Sequence, residues 1–285
     1  MKASEFRAGQ LPTDVRRLVT EAILVAREAG RILRRRFRTA MRISRKGPGD
    51  IVTAADVEVQ AMIARRLRRA FPTHGILAEE GLDATAGTEW RWIVDPLDGT
   101  KNFARGIPSF CVSIGAEREG RVELGVVLDP IQEELFVGAR GAGAWCNGRR
   151  IHVSEVSDLA GAFLGTGLPN RVRRFAGPVA RVFSRFAARC LGVRDRGAGA
   201  LDLCHVACGR FDGYWEVDQS PWDIAAGGLI VEEAGGRMSN FRGGPFDIYG
   251  GETVASNGKI HDQMLALLGP RGGMPRGYRP PVRRR

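Results

Sequence analysis

No stretch of this chain approaches the ~20 apolar residues that a membrane-spanning helix needs. The opening MKASEFR carries no apolar run behind its first basic residue, so it does not read as a secretory leader. Histidine is scarce: His74, His152, His205 and His261 are scattered and fit no catalytic triad or zinc set. The cysteines, Cys111, Cys146, Cys190, Cys204 and Cys208, are odd in number and show no paired framework, which argues against a disulfide scaffold. A reducing compartment, the cytoplasm, is the expected location. Cys204 and Cys208 stand four apart, a spacing that puts two thiols on one helix face. No second ligand cluster accompanies them, so they read as small buried hydrophobes. Internal repeats are absent too.

The chain has 285 residues, 44% apolar and 26% charged, enough for one large domain or two intimate halves around a substantial core. Its formal charge is +11, and six arginines with no acid fall in residues 271–285, leaving +5 for the rest. Arg31–Lys46 and Arg171–Arg196 are also Arg-rich. Such charge attracts acidic partners and steers phosphorylated substrates. Solvated helix faces and a soluble tail explain it more simply than RNA binding, for which no aromatic interleaving or motif is present.

Residues 13–38 read as an amphipathic helix capped by Thr13, with Val15, Leu18, Val19, Ala22, Ile23, Ala26 and Leu33 on one stripe. A second helix is expected from about Ala55 to Ala70, stopping before Pro72. GILAEE (75–80) and WRWIVD (90–95) read as short strands ending in carboxylates. From Ser109 to Val153 the pattern becomes a meander of four strands, FCVSIGAE, RVELGVVLD, EELFVGA and RIHVS. Glu119-Gly120, Asp129-Pro130 and Asn147-Gly148 mark its turns. Further on come helix 199–208, strand Phe211–Val217 and helix Trp222–Ala234, which ends at Gly235-Gly236. The whole is a layered α/β domain. The last fifteen residues, rich in Gly, Pro and Arg, lack the means to build a core and are expected to be disordered.

The segment WIVDPLDGTKNF carries the chemistry. An apolar strand delivers Asp95, Pro96 breaks the ladder, and Asp98-Gly99-Thr100 begins a helical turn. Two carboxylates three residues apart repel unless a cation lies between them, and hard oxygen ligands suit magnesium. The amides of Gly99 and Thr100 at the helix start suit a phosphate. Three more acidic features accompany this segment. Asp50 and Asp56 precede a helix. Glu79-Glu80 ends a strand, where neighbouring side chains face opposite ways, so only one of the two is expected to enter a site. Asp223 lies in the first turn opened by Ser220-Pro221-Trp222. Taken singly, each is equally a helix cap or a surface acid.

Over residues 13–268 the chain resembles the inositol monophosphatase family, and its texture that of a bacterial member. The family's signatures stand here as Asp50–Asp56, as WIVDPLDGTKNF and as WDIAAGGLIVEEAGG (222–236). Shorter matches run through GVVLDP, GAGAWCNGRRIHVS, GALDLC, GRFDGYWE and VASNG, all in family order. The resemblance implies a sandwich of alternating helix and sheet layers, a homodimer, and a Mg2+-dependent phosphomonoesterase with lithium sensitivity in some members. It implies magnesium ligands at Glu79, Asp95, the carbonyl of Leu97, Asp98 and Asp223. Gly99 and Thr100 would bind phosphate, Thr100 with Asp56 would activate water, and Glu216 would bind substrate hydroxyls. The strand alternation places Tyr214 on the same face as Glu216.

Substrate contacts are also implied for Gly197, Ala198 and Gly199, but this stretch departs from the pattern, since Ala198 lacks the usual hydroxyl. Ala78 replaces the glycine usual before the acidic pair, and Lys101 stands either on the phosphate or at the surface. A small polyol phosphate, myo-inositol 1-phosphate, is the expected substrate. Relatives hydrolyse histidinol phosphate, phosphoadenosine phosphate, fructose bisphosphate or NADP, and some bacterial relatives partner RNA or the transcription machinery. The expected organisation is an N-terminal extension (1–12), a catalytic domain (13–270, halves about 13–155 and 156–270) and a basic tail (271–285).

Overall fold

A computed structural model describes residues 13–40, 42–47, 50–84, 88–168 and 172–269. The expected N-terminal extension and basic tail lie outside the described residues.

The long amphipathic segment forms α1 (Thr13–Arg36); it is already helical at Thr13, the first described residue, so its capping lies outside them. A hairpin of β1 (Ile43–Gly47) and β2 (Asp50–Thr53) follows, short and polar enough to leave no periodic signal. Helix α2 (Ala54–Ala70) starts at a capping box in which the Thr53 and Asp56 side chains each accept from the other's backbone amide.

The central sheet has eight strands: β3 (Gly75–Ala78), β4 (Leu82–Ala84), β5 (Trp90–Asp98), β6 (Cys111–Arg118), β7 (Arg121–Asp129), β8 (Glu134–Ala139), β9 (Gly143–Cys146) and β10 (Arg149–Arg150). Short α3 (Thr100–Ala104) follows β5. All pairings are antiparallel except β3 with β5. Two expected hairpin turns take positive φ at both residues, Glu119 (50°) with Gly120 (85°) and Asn147 (49°) with Gly148 (80°), the twist that two-residue hairpins require.

The meander differs from expectation at its end. Of RIHVS only Arg150 is in a strand, as the second residue of β10 (Arg149–Arg150). Beyond it the chain leaves the sheet, and the Val153 amide donates to the Ala234 carbonyl at 3.2 Å. The unexpected β9 pairs with both β8 and β10.

A second sheet holds β11 (Phe163–Thr166), β12 (Gly192–Asp195), β13 (Gly213–Val217), β14 (Arg237–Ser239) and β15 (Glu252–Ser256) in the order β12-β11-β13-β15-β14. Helices α4 (Val172–Ala187), α5 (Gly199–Ala207), α6 (Pro221–Glu233) and α7 (His261–Leu268) complete the chain.

Period-two alternation sorts the strand residues into three cores. Trp92, Val94, Val112 and Val126 pack with α1 and α2. Ile93, Cys111, Val127 and Phe136 face the other way, onto α5 and α6, where Tyr214 and Ala255 of the second sheet meet them. Trp215 and Val254 point to a third core with Phe186 of α4 and Met264 of α7. The layers therefore run helix, sheet, helix, sheet, helix, as the family resemblance implies. Gly125 permits the tight central stack, because a Cβ there would collide with the backbone of Ala226 in α6.

Candidate active site

Strand and helix ends deliver the acids to one place. In β5 the pairing with β6 shifts register between Asp95 and Asp98, so Pro96 sits in the irregularity and breaks the ladder as expected. The chain then turns at Gly99, whose φ of +91° suits glycine, and a Cβ there would stand 2.8 Å from the Ser109 carbonyl. Thr100 opens α3. Its hydroxyl lies 2.9 Å from the Leu97 carbonyl and 3.0 Å from Asp56 Oδ1. The other Asp56 oxygen accepts from the Thr53 amide at 2.8 Å and the Thr53 hydroxyl at 2.5 Å, so this buried carboxylate is fixed.

A cavity of about 370 Å³ lies above this turn, lined by Glu79, Asp95, Leu97, Asp98, Gly99 and Thr100. Its other wall includes Gly197, Ala198, Gly199, Glu216 and Asp223. Asp56 reaches it through Thr100. The structure thus brings together all the candidate residues, from positions up to 167 residues apart in the sequence (Asp56 to Asp223).

Each acid spends an oxygen on a local donor. Asp95 accepts from the Leu97 amide at 2.9 Å, Asp98 from the Ala200 amide at 2.8 Å, and Asp223 from the Ser220 amide at 2.7 Å within a capping box. Glu79 pairs with Lys46 at 3.1 Å. Among the described residues no three such side chains stand in coordination geometry. Burial pushes the Asp95 and Asp223 carboxyls well above the usual range, and Glu79 and Asp98 add repulsion to both. Asp98 is pushed up to about 7, again chiefly by burial. Lys46 offsets the charge of Glu79, whereas the partners of Asp95, Asp98 and Asp223 given above are backbone amides.

The alternation expected at β3 fails, since Lys46 bonds both Glu79 and Glu80, but of the two only Glu79 lines the cavity, as expected. The strand ends at Ala78 and a turn to Gly81 (φ +78°) abolishes the alternation. Tyr214 and Glu216 do share a face, and the phenol donates to the carboxylate. Burial raises Glu216 to about 8.

The inositol monophosphatase family model matches residues 14–270. The chain belongs to the inositol monophosphatase family. It is 40% identical over 254 residues to the Nus factor SuhB of Salmonella typhimurium, a match covering 88% of this chain and 95% of that relative. Among solved structures, the extragenic suppressor protein suhB of Bartonella henselae superposes with a TM-score of 0.86 at 38% identity, covering 89% of this chain and 98% of that one. The inositol monophosphatase of Anabaena gives 0.81 at 40% identity, covering 90% and 96%.

Sequence reasoning missed four site residues. Thr53 was legible, since Thr-x-x-Asp before an apolar run is a capping-box signal. Lys46, Asp195 and Gln219 carry no local signal, because strand pairing and loop packing alone bring Lys46 to Glu79 and the other two to the cavity. No helix among the described residues is long and apolar enough to cross a membrane.

Proposed function

We propose that this chain is a Mg2+-dependent phosphomonoesterase that hydrolyses a small polyol phosphate, with myo-inositol 1-phosphate as its substrate. The observation that carries the reading is the Thr100–Asp56 contact, 3.0 Å long, set beside the buried and mutually repelling Asp95 and Asp223.

The donor set fits magnesium. Glu79, Asp95, Asp98, Asp223 and the Leu97 carbonyl offer hard oxygen alone, and three of the carboxylates each keep an oxygen not used by a backbone amide. These residues would hold the ion, which when bound would acidify the attacking water and oppose charge on the phosphoryl and leaving oxygens. The protein's part is orientation and proton transfer. Asp56, anchored by Thr53, accepts the proton of Thr100 as the threonine oxygen accepts one from the water. The amides of Gly99 and Thr100 at the start of the helical turn receive the phosphate. Glu216 takes a hydroxyl of the leaving group, which departs in line with the water. No covalent intermediate with the protein is required.

The test is phosphate release from myo-inositol 1-phosphate with Mg2+ and with excess EDTA. Full activity in EDTA contradicts the proposal. We further infer a homodimer located in the cytoplasm, which analytical ultracentrifugation and cell fractionation address.

A second reading is favoured by relatives named Nus factor SuhB at 40% identity, together with the +11 charge. In it the chain also partners RNA or the transcription machinery. Binding to RNA and to RNA polymerase, measured over a salt series with and without residues 271–285, tests this role and the part of the tail in it.

A further inference from the structure

Helix α1 and the turn between β7 and β8 enclose a second cavity, a groove of about 510 Å³. It shares no described lining residue with the cavity above Gly99. Its volume lies within the ~300–1,000 Å³ usual for small-molecule sites. Arg27, Arg31 and Arg34 stand at i, i+4 and i+7 of α1, hence on one helical face, and all three line the groove. Leu128 and Leu135, paired directly across β7 and β8, contribute apolar lining. Asn147 lines it as well. Its Oδ1 accepts from the Leu135 amide at 3.0 Å and its Nδ2 donates to the Glu133 carbonyl at 3.0 Å, so this wall is held without a ligand.

The arginines keep charge that the helix does not offset. Glu21 and Glu28, also on α1, pair with Arg66 of α2 at 3.8 and 3.0 Å. No hydrogen bond or ion pair joins the side chain of Arg27 or Arg31 to another described residue. Arg27 is nonetheless partly buried. Arg34 pairs with Glu133, but both side chains are more than half exposed, and such a pair contributes little and exchanges readily. Like charges four apart on a helix repel, so Arg27 and Arg31 disfavour each other until an anion lies between them. Three guanidiniums stand against the one carboxylate of Glu133, which leaves the groove with a net charge of +2.

We propose that this groove is a binding site for a small phosphomonoester in its dianionic form. The two negative charges match the net charge of the lining. The terminal phosphate oxygens accept from the guanidinium forks of Arg27 and Arg31, a geometry that suits phosphate bidentately. The remaining volume leaves room for the organic part of the ester beside Leu128 and Leu135. A nucleic-acid strand fits less well. No aromatic side chain is among the described lining residues to stack a base, and Glu133 sits against Arg34 at one end of the row of positive charge. The assignment stands apart from the phosphatase reading, because the two cavities have no residue in common.

The test is isothermal titration calorimetry in EDTA at about pH 8 and low salt, where surface charge is least screened. The probes are phenylphosphonate, a non-hydrolysable dianion, and benzenesulfonate, which has the same ring and a single charge. EDTA keeps Mg2+ from holding either probe at the acids of the candidate active site. Phenylphosphonate should bind with a Kd of about 1 mM or below, at least about tenfold tighter than benzenesulfonate. Arg31→Gln, which removes an exposed charge, and Arg27→Lys, which keeps the charge and loses the fork, should each weaken phenylphosphonate about fivefold. Arg242→Gln, at an exposed arginine outside the groove, should change nothing. Equal affinity for the two probes, or an Arg242→Gln effect as large as that of Arg31→Gln, would reveal general attraction to a basic chain and overturn the proposal. An affinity unchanged in both groove variants overturns it as well. So does the absence of phenylphosphonate binding; if a short single-stranded RNA then binds and loses affinity in Arg31→Gln, the groove is a nucleic-acid surface instead.

Discussion

Replacing Asp98 by asparagine should stabilise the metal-free protein at pH 8 while abolishing the proposed phosphatase activity. The carboxyl titrates at about 7, displaced chiefly by burial and further by Glu79. In an unfolded chain an aspartate titrates near ~3.9. The folded value is the higher one, so the penalty is absent below about pH 4, grows through the interval and is complete above about pH 7. At ~1.36 kcal/mol for each pH unit, the interval is worth about 4 kcal/mol. Asparagine keeps an oxygen for the Ala200 amide, 2.8 Å away, but loses charge assistance worth about 1–2 kcal/mol. A net gain of about 2 kcal/mol at pH 8 remains, and it should vanish or reverse by pH 5. With ~2–4 °C of Tm per kcal/mol in chains of this size, the variant should melt roughly 5 °C higher. Thermal melts followed by circular dichroism in EDTA at the two pH values provide the assay. Repeating them in excess Mg2+ should raise the wild-type Tm more than that of the variant, because only the intact acid cluster gains a ligand. An Asp98→Asn protein that melts below wild type at pH 8 in EDTA would refute the reasoning.

Thr100→Ala and Asp56→Asn should each lower kcat for myo-inositol 1-phosphate by about 100-fold or more, with KM changing much less, because both act on the water's proton. Steady-state kinetics at saturating Mg2+ separate the two constants. Adding Mg2+ to metal-free protein should release protons, since Asp98, at about 7, is largely protonated at pH 6 and largely ionised at pH 8. Release read by an indicator dye in weak buffer should therefore fall as pH rises through that range, and a flat profile contradicts the assignment. Gly99→Ala should cost about 1–3 kcal/mol of stability, because φ is +91° and the new Cβ meets the Ser109 carbonyl. Denaturant melts would show it as a lower midpoint.

Helix α1, the long strands of the central sheet and the caps around α6 were legible because each follows from local pattern. Leu18, Ala22, Ile23 and Ala26 repeat at helical spacing, and Trp92, Ile93 and Val94 alternate between two cores. Features fixed by distant partners were not legible. The β1–β2 hairpin is four or five residues to a strand and polar, and β9 exists because β8 receives it. RIHVS has the composition of a strand, yet the backbone of Val153 bonds Ala234, a partner no local pattern reveals. The site divides in the same way. Asp95, Asp98 and Thr100 share one peptide and could be read together, whereas the contact of Lys46 with Glu79 depends on how the hairpin lies over β3.

The arrangement of donors explains why an unstable set of charges can sit in a well-packed frame. Asp56 and Asp223 each complete a capping box, and Asp98 takes the amide of Ala200 at the start of α5. The same carboxylates thus satisfy helix starts that burial would otherwise leave unpaired. Local caps therefore hold Asp56 and Asp223, while Asp98 is held by a contact 102 residues away in the sequence. Removing one charge relieves the cluster; removing the side chain removes a cap as well. Asp223→Asn should consequently gain more metal-free stability at pH 8 than Asp223→Ala. Asparagine keeps an acceptor for the Ser220 amide and sheds the charge, while alanine forfeits about 1 kcal/mol of capping and leaves that amide unpaired. If both variants shifted the melting temperature equally, the carboxylate would be acting through charge alone, and the capping role assigned to it would be wrong.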